Sequence, residues 1–312
     1  MRSRAAIATL MLLAVACSGE PEPRPSSERT TELVAQIASY ELVVGGGNRL
    51  IVGLLTGDNR FVSGGEVTFR MRHLDEEGAD EVVAEHTASF LHIEEPGSGT
   101  PPDVPTTGGV SDVGRGVYAA EPIAFDRAGT WQVEVVAEVD GEPRTARAAF
   151  SVLEEAFVPA PGEDAPRTDN LVVGDAEAPP AAIDSRAGQG GQVPDPELHA
   201  TTIAASIAKK RPVLAVFATP VYCVSRFCGP ITDMVQSLAA EHGDRVEFVH
   251  VEIWRDFDNQ VVNRAAAEWV LGPDGGVTEP WIFLIDSDGK VTARWDNVAT
   301  PEEIEPRLAE LG

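Results

Sequence analysis

The chain has 312 residues, which is enough for two domains of about 150 residues each. Its composition, 43% hydrophobic and 24% charged, is globular and excludes a disordered chain, collagen or a multi-span membrane protein. Asp and Glu number 50 against 24 Lys and Arg, so the formal net charge is -26 and the chain would repel the phosphates of a nucleic acid. Three cysteines are too few for a disulfide-dense scaffold, so each one needs its own explanation.

The N-terminus has the pattern of a secretory signal. Arg2 and Arg4 form a basic start, and the uncharged run Ala5–Ala16 follows them. This run is too short for a bilayer-spanning helix, which needs about 20 apolar residues. The pattern therefore predicts a chain that is exported from the cytoplasm.

The residues LAVAC, from Leu13 to Cys17, resemble the bacterial lipobox, although Ala14 stands where that motif usually has Leu. The resemblance implies a signal peptide over residues 1–16 and a diacylated Cys17 that anchors the protein to the extracytoplasmic face of the cell membrane. The polar, Pro-rich residues 17–32 then predict a flexible tether. An ordinary signal peptide cleaved near Ala16 is the alternative, and it also predicts an exported protein.

Residues 33–155 contain short apolar runs of period two, separated by Gly, Asn and Asp, and these predict strands of an antiparallel β-sandwich. The clearest runs are Tyr40–Val44, Arg49–Leu55, Glu66–Met71, Glu81–Glu85, Thr130–Val136 and Ala148–Leu153. The stretch from Gly116 to Val152 resembles the end of immunoglobulin-like domains of bacterial envelope proteins. Within it, Asp140 and Gly141 predict a hairpin turn, and Trp131 is expected to anchor the core.

Four side chains of this region are soft enough to bind a metal ion: Met71, His73, His86 and His92. Met71 and His73 would share one face of a strand, because successive side chains alternate. Their spacing matches no recognised ligand pattern. We therefore predict no metal site and no cofactor, and we expect the sandwich to be a scaffold or interaction module.

Residues 156–196, rich in Pro, Gly, Asp and Ala, predict a linker, and from Glu197 the hydrophobic period changes. Residues 197–312 show a βαβ pattern followed by a hairpin and a helix, the order of elements in a thioredoxin fold. The predicted elements are a helix over Leu198–Lys209, a strand over Pro212–Phe217, a helix over Thr232–Glu241, a strand over Val246–Ile253, a helix over Asp258–Leu271, a hairpin over Trp281–Trp295 and a helix over Pro301–Leu311.

Two motifs make this expectation specific. FATPVYCVSRFCGP, residues 217–230, puts two cysteines where a strand runs into a helix. TEPWIFLIDSDGKV, residues 278–291, resembles the G-x-P-T-x-F-L-I-D-x-x-G-K-V run of the secreted thioredoxin-like reductases of cytochrome maturation. The resemblance implies a redox-active pair, Cys223 and Cys228, and a cis-proline, Pro280, whose loop faces it.

The position of the pair suits thiol chemistry, because a helix N-terminus stabilises the thiolate that attacks a disulfide. The spacing departs from the thioredoxin pattern, since four residues separate the cysteines instead of two. On a continuous helix, residues five apart lie about 140° around the axis, so either the segment is irregular or the helix begins later. We favour Cys223 as the attacking cysteine, with Cys228 as the alternative. Val216 stands where thioredoxins have a buried acid, so no carboxylate is expected to move the proton of the resolving thiol.

Three functions fit these residues. The first is thiol-disulfide exchange with the thiols and disulfides of envelope proteins. The second is a non-enzymatic binding or scaffold lipoprotein in which Cys223 and Cys228 form a structural disulfide. The third is a peroxidase similar to atypical two-cysteine peroxiredoxins, although Thr219 lies four residues before Cys223 where that family has three. Copper delivery does not fit, because no histidine follows His250.

Overall fold

The computed structural model describes residues 32–75, 81–93, 108–111, 116–225 and 227–311. Residues 31–312 belong to one compact unit. The predicted signal peptide and the lipidation site Cys17 lie outside the described residues. In the described parts of the chain, each helix is too short or too polar to cross a bilayer.

The N-terminal part, called the β region below, contains nine strands among the residues that the structure describes. They are β1 (Leu33–Ile37), β2 (Gly45–Thr56), β3 (Phe61–Ser63), β4 (Glu66–His73), β5 (Ala84–His92), β6 (Gly109–Ser111), β7 (Gly116–Phe125), β8 (Gly129–Val139) and β9 (Glu142–Val152).

These strands form one antiparallel sheet in the order β6-β3-β2-β7-β5-β4-β8-β9, with β1 paired to β2. The sequence pattern predicts a sandwich of two sheets. The structure differs, because all the described strands of this region belong to one continuous antiparallel sheet in which β1 packs against β9. Alternate side chains of β1, β2, β4, β7, β8 and β9 meet in a single core. A sheet that encloses its own core in this way must be strongly curved.

The turn between β8 and β9 agrees with the sequence expectation. Asp140 and Gly141 both have positive φ, 54° and 80°, as the two central residues of a type I′ hairpin turn require. β8 and β9 pair in register over their full length, from Gly129 with Val152 to Val139 with Glu142. Trp131 is 3% exposed and packs edge-on against Phe125, so its predicted place in the core is confirmed.

The C-terminal part, called the α/β region below, contains five helices and six strands among its described residues. They are α1 (Pro180–Ile183), α2 (Ile203–Ala208), β10 (Val213–Ala218), α3 (Cys228–His242), β11 (Glu247–Glu252), β12 (Trp254–Asp256), β13 (Val261–Val262), α4 (Arg264–Val270), β14 (Trp281–Ile285), β15 (Val291–Asp296) and α5 (Pro301–Ala309).

Four of these strands form a mixed sheet in the order β11-β10-β14-β15. β10 and β11 are parallel and are joined through α3, whereas β14 is antiparallel to both β10 and β15. Every residue of β10 is buried, because apolar clusters cover both faces of the sheet. A central strand of this kind holds its carboxyl end, the start of the cysteine segment, in a fixed position.

The predicted helices are partly interrupted. Leu198–Lys209 divides into a 3-10 turn over Pro196–His199 and α2, because Thr202 caps α2 by accepting a hydrogen bond from the amide of Ala205. Asn263 likewise caps α4, which therefore begins at Arg264, six residues after the predicted start at Asp258. These polar caps follow from local hydrogen bonding that an apolar period does not reveal.

Residues 156–196, which composition assigns to a linker, pack along the α/β region. Val158, Thr168 and Asn170 are all buried. The Thr168 hydroxyl donates to Glu268 and accepts a hydrogen bond from the indole of Trp269, both at 2.8 Å. The segment is therefore anchored by buried polar contacts.

Buried charges join the β region to the α/β region. Arg49 of β2 is 8% exposed, and its guanidinium donates to Glu303 of α5 at 2.7 Å. The same side chain lies 3.9 Å from Asp296 at the end of β15. Burial raises the pKa of Asp296 to about 6 even though the positive charge of Arg49 opposes the rise. A second buried pair, Glu41 with Arg294, has its charged atoms 2.6 Å apart.

We expect Arg49→Met to lower the free energy of unfolding by about 3 kcal/mol, because it leaves the buried Asp296 and the partly buried Glu303 without the cation that joins them. Arg307→Met is the matched control. Arg307 pairs with Glu310 at side-chain exposures of 56% and 65%, and its loss should cost less than about 1 kcal/mol. Urea unfolding followed by fluorescence measures both changes. Equal losses in the two variants would show that the buried pair does not hold the regions together.

Candidate functional site

Cys223 and Cys228 form a disulfide bond with their Cα atoms 6.0 Å apart. α3 begins at Cys228, and Cys223 lies in the irregular segment that connects β10 to it. Both expectations for the spacing are therefore observed, because Cys223 lies in an irregular segment and the helix begins only at Cys228. Pro230 is the third residue of α3, a position at which a missing N–H costs no helical hydrogen bond.

The two sulfurs have different surroundings. Cys228 is 0% exposed within the apolar cluster under α3, whereas Cys223 is only partly buried at its edge. The Sγ of Cys223 lies 3.3 Å from the hydroxyl of Ser225. Cys223 is therefore the more accessible sulfur. An external thiol must reach the sulfur that it attacks, so accessibility favours Cys223 as the point of attack.

Aromatic stacking holds the residue before Cys223. The ring of Tyr222 lies parallel to that of Phe257, with the centroids 3.9 Å apart, and Trp254 packs edge-on against Phe257. This stack ties the cysteine segment to the β12–β13 hairpin. On the other side, Phe227 packs against the apolar cluster of Ile51, Val117 and Val298.

The Glu279–Pro280 peptide bond is cis, as the resemblance implies for Pro280. Glu279, the residue before this proline, was not expected to contact the cysteines. The Oε2 of Glu279 lies 3.6 Å from the Sγ of Cys228 and accepts a hydrogen bond of 2.8 Å from the amide of Thr219 at the end of β10. The carbonyl oxygen of Glu279 accepts a hydrogen bond from the hydroxyl of Tyr40, which comes from the β region.

Glu279 is a partly buried carboxyl group with a shifted pKa. Burial raises its pKa to about 8, and the nearby charge of Glu252 adds to the rise, while the Thr219 amide opposes it. Glu252 is itself 1% exposed, and burial raises its pKa as well. Glu279 is therefore mostly protonated at neutral pH, beside a sulfur of the disulfide bond.

Sequence reasoning missed this residue. It sought an acid at the position of Val216 on β10 and expected none, whereas the structure supplies one from the segment that leads into β14. A signal was present, because Glu279 immediately precedes the proline that was expected to face the cysteines. The acid thus reaches the sulfur pair from a segment distant in sequence.

Between the two regions lies a groove of about 390 Å³. Gln36 and Leu55 of the β region line one side, and Val224, Ser225 and Phe227 of the cysteine segment line the other. Val224 is 99% exposed. The groove therefore leads from the solvent to the segment between the two cysteines.

Two groups that include buried residues bring together side chains that can bind a metal ion. One consists of Cys223, Cys228 and Glu279, whose sulfurs are joined in the disulfide; the other consists of Asp184, His199 and His250. The candidates considered in the β region are not among the groups formed by the described residues. Met71 is fully buried in the core, and His73 packs against Trp131.

Comparisons with known proteins give no family. No protein-family model matches the chain. A search of curated proteins likewise finds no similar sequence.

We expect wild-type stability to fall as the pH rises from 5 to 8.5, and Glu279→Gln to reduce that fall by about 2 kcal/mol. The sign follows from the raised pKa: the folded protein retains a proton that the unfolded chain, with an ordinary value of 4.5, has released. The glutamine side chain of this variant has no proton to lose and keeps an oxygen for the Thr219 amide. Urea unfolding across this pH range measures the difference.

Glu302→Gln, an exposed change on α5, is the matched control and should leave the pH dependence as it is. Parallel pH profiles for wild type and E279Q would contradict the burial of the carboxyl charge.

Proposed function

We propose that this chain is an extracytoplasmic thiol-disulfide oxidoreductase with a thioredoxin-like α/β region. Its redox centre is the pair Cys223 and Cys228, and its partners are thiols and disulfides of other envelope proteins. One observation carries the proposal: a partly exposed sulfur is bonded to a buried one that has a carboxyl group of raised pKa 3.6 Å away. A disulfide that only braces a fold has no need of a proton donor beside it.

In the oxidising direction, a substrate thiolate attacks the Sγ of Cys223 and forms a mixed disulfide. The bond to Cys228 breaks, and its electron pair leaves with Cys228 as a thiolate. The protonated carboxyl of Glu279 can donate its proton to that thiolate, which keeps a buried charge from developing. A second substrate thiolate then releases reduced Cys223 and the oxidised substrate.

In the reducing direction, the Cys223 thiolate attacks a substrate disulfide. The carboxylate of Glu279 then accepts the proton of the Cys228 thiol, and the resulting thiolate attacks Cys223 to release the reduced substrate. A pKa of about 8 lies close to that of a free thiol, about 8.5, so the proton can move either way at little cost. The first turn of α3 adds backbone N–H groups that favour a thiolate.

The order β11-β10-β14-β15, with α3 crossing between parallel β10 and β11, supports the thioredoxin-like assignment. The antiparallel strands and the Asp140–Gly141 turn support an immunoglobulin-like spacer. This spacer contacts the cis-proline loop through Tyr40, so it also borders the redox centre.

A non-enzymatic scaffold with a structural disulfide is the second candidate. The burial of Cys228 in an apolar cluster favours it, because water and reductants reach such a sulfur poorly. A peroxidase of the two-cysteine type rests on the spacing of the cysteines alone.

We expect titration of the Cys223–Cys228 couple against glutathione to give a potential above about -300 mV, together with measurable exchange on a model disulfide substrate. A more negative potential without exchange would identify a structural disulfide. Rapid oxidation of the reduced pair by hydrogen peroxide would favour the peroxidase.

Cys228→Ser and Cys223→Ser are the matched variants for this experiment. C228S retains the accessible sulfur and should accumulate mixed disulfides with substrate, because no resolving thiol remains. C223S should accumulate none. The reverse pattern would make Cys228 the attacking cysteine.

We also propose that Cys17 anchors the protein to the membrane through its lipid. Cys17→Ser should move the protein from the membrane fraction to the soluble extracytoplasmic fraction when it is expressed in a bacterial host. Retention of C17S in the membrane fraction would rule out this anchor.

A further inference from the structure

A second buried polar cluster lies beside the redox centre and takes no part in the proposed exchange. Asp184 begins the 3-10 turn over residues 185–187, His199 ends the turn over Pro196–His199, and His250 lies in β11. Their exposures are 0%, 0% and 1%. Two imidazoles and a carboxylate have thus been buried together, at a desolvation cost that needs compensation.

Two of the three separations between the donor atoms match those around a bound ion. The Nε2 of His199 and the Nδ1 of His250 are each 3.4 Å from the Oδ2 of Asp184, and the three atoms all lie within 4.8 Å of one another. Bonds of about 2.0 Å to a tetrahedral zinc ion separate neighbouring ligand atoms by about 3.3 Å. At 3.4 Å the contact between His199 and Asp184 is a long hydrogen bond, since direct bonds of this kind are usually about 2.9 Å.

The hydrogen bonding of His250 gives a second, independent reason. Its Nε2 lies 3.0 Å from the carbonyl oxygen of Ala218, a contact in which the ring must be the donor. A singly protonated ring then has a lone pair on Nδ1, which is buried, has no hydrogen-bond partner and is directed at the carboxylate of Asp184. The lone pair of the His250 Nδ1 and the carboxylate oxygen of Asp184 repel each other, and a cation bound between them would remove this repulsion. A ring N–H donated to a backbone carbonyl is also the usual outer support of a metal-binding histidine.

The surrounding charges favour a cation. Arg186 contacts the Oδ2 of Asp184 at 2.7 Å and also pairs with Asp195 and Asp233. Three carboxylates against one guanidinium leave a formal charge of -2. Arg186 is 25% exposed and lies on the outer side, where it can orient the carboxylate as hydrogen-bonded partners of metal ligands do.

We propose that Asp184, His199 and His250 form a binding site for one divalent transition-metal ion, with Zn²⁺ as the ion that fits best. Two nitrogen ligands and one oxygen ligand suit zinc and its neighbours, whereas calcium and magnesium require oxygen ligands. The ion fastens residues 184–199 to β11.

The same ion supports the redox centre indirectly. Ser185, next to Asp184, donates its amide to Glu252 at 2.8 Å, and its hydroxyl accepts a hydrogen bond from the amide of Val221 at 3.2 Å. Val221 lies two residues before Cys223. Metal binding would therefore hold in place the loop that presents the accessible sulfur.

Metal analysis of the full chain tests the site, with the disulfide kept oxidised so that the cysteines cannot act as ligands. Protein stripped with a chelator and then dialysed against Zn²⁺ should retain about one equivalent. Its thermal midpoint should rise by about 5 °C at a saturating concentration of Zn²⁺. Retention below about 0.1 equivalent, with no shift in the midpoint, would overturn the proposal.

His199→Gln and His250→Gln should abolish both the retained zinc and the thermal shift. His242→Gln, which changes the histidine of the surface group Glu241, His242 and Glu305, is the matched control and should behave as wild type. Loss of zinc in H242Q alone would assign the ion to the surface group and refute the buried site.

X-ray absorption of the zinc-loaded wild-type protein decides the outcome if the buried variants fail to fold. Nitrogen and oxygen scatterers with an imidazole signature are expected. Sulfur in the first coordination shell would place the ion on the cysteines and refute the proposal.

Discussion

The position of Glu279 is the constraint on which the candidate site depends. Its carboxyl group is held by the amide of Thr219 at the end of β10 and lies beside Cys228 at the start of α3, while its carbonyl oxygen accepts a hydrogen bond from Tyr40 of the β region. Three parts of the chain thus meet at one residue next to a cis-proline. The Thr219 amide holds the carboxyl group beside the disulfide, where partial burial raises its pKa.

This arrangement makes the β region part of the site. Asn297 donates to the carbonyl oxygen of Ala38 at 2.9 Å and lies 2.9 Å from the hydroxyl of Tyr40, so the loop after β15 is bonded to the chain after β1. Arg49 adds a buried charge contact to α5. The groove beside Val224 has one wall from each region. A spacer that only lifted the α/β region from the membrane would not need these contacts.

Local patterns predicted much of the fold. Asp140 and Gly141 predicted a hairpin turn, and the structure shows two successive positive φ angles there. The apolar run Pro212–Phe217 predicted a buried strand, and every residue of β10 is buried. The contacts of Asp184 could not be predicted in this way. It lies in a Pro- and Gly-rich stretch that resembles a linker in composition, yet it is buried against His199 and His250, residues that the fold alone brings near.

By itself, the sequence determined the pair Cys223 and Cys228 between a strand and a helix, Pro280, and the succession of the main strands and helices along residues 197–312, because each of these depends on residues close together in the chain. Only the tertiary structure decided which sulfur is buried and that Glu279 lies beside it. It also decided that the β region borders the site. These features arise from packing between segments far apart in sequence, where burial and neighbouring charges set the chemistry of a side chain whose identity alone does not reveal it.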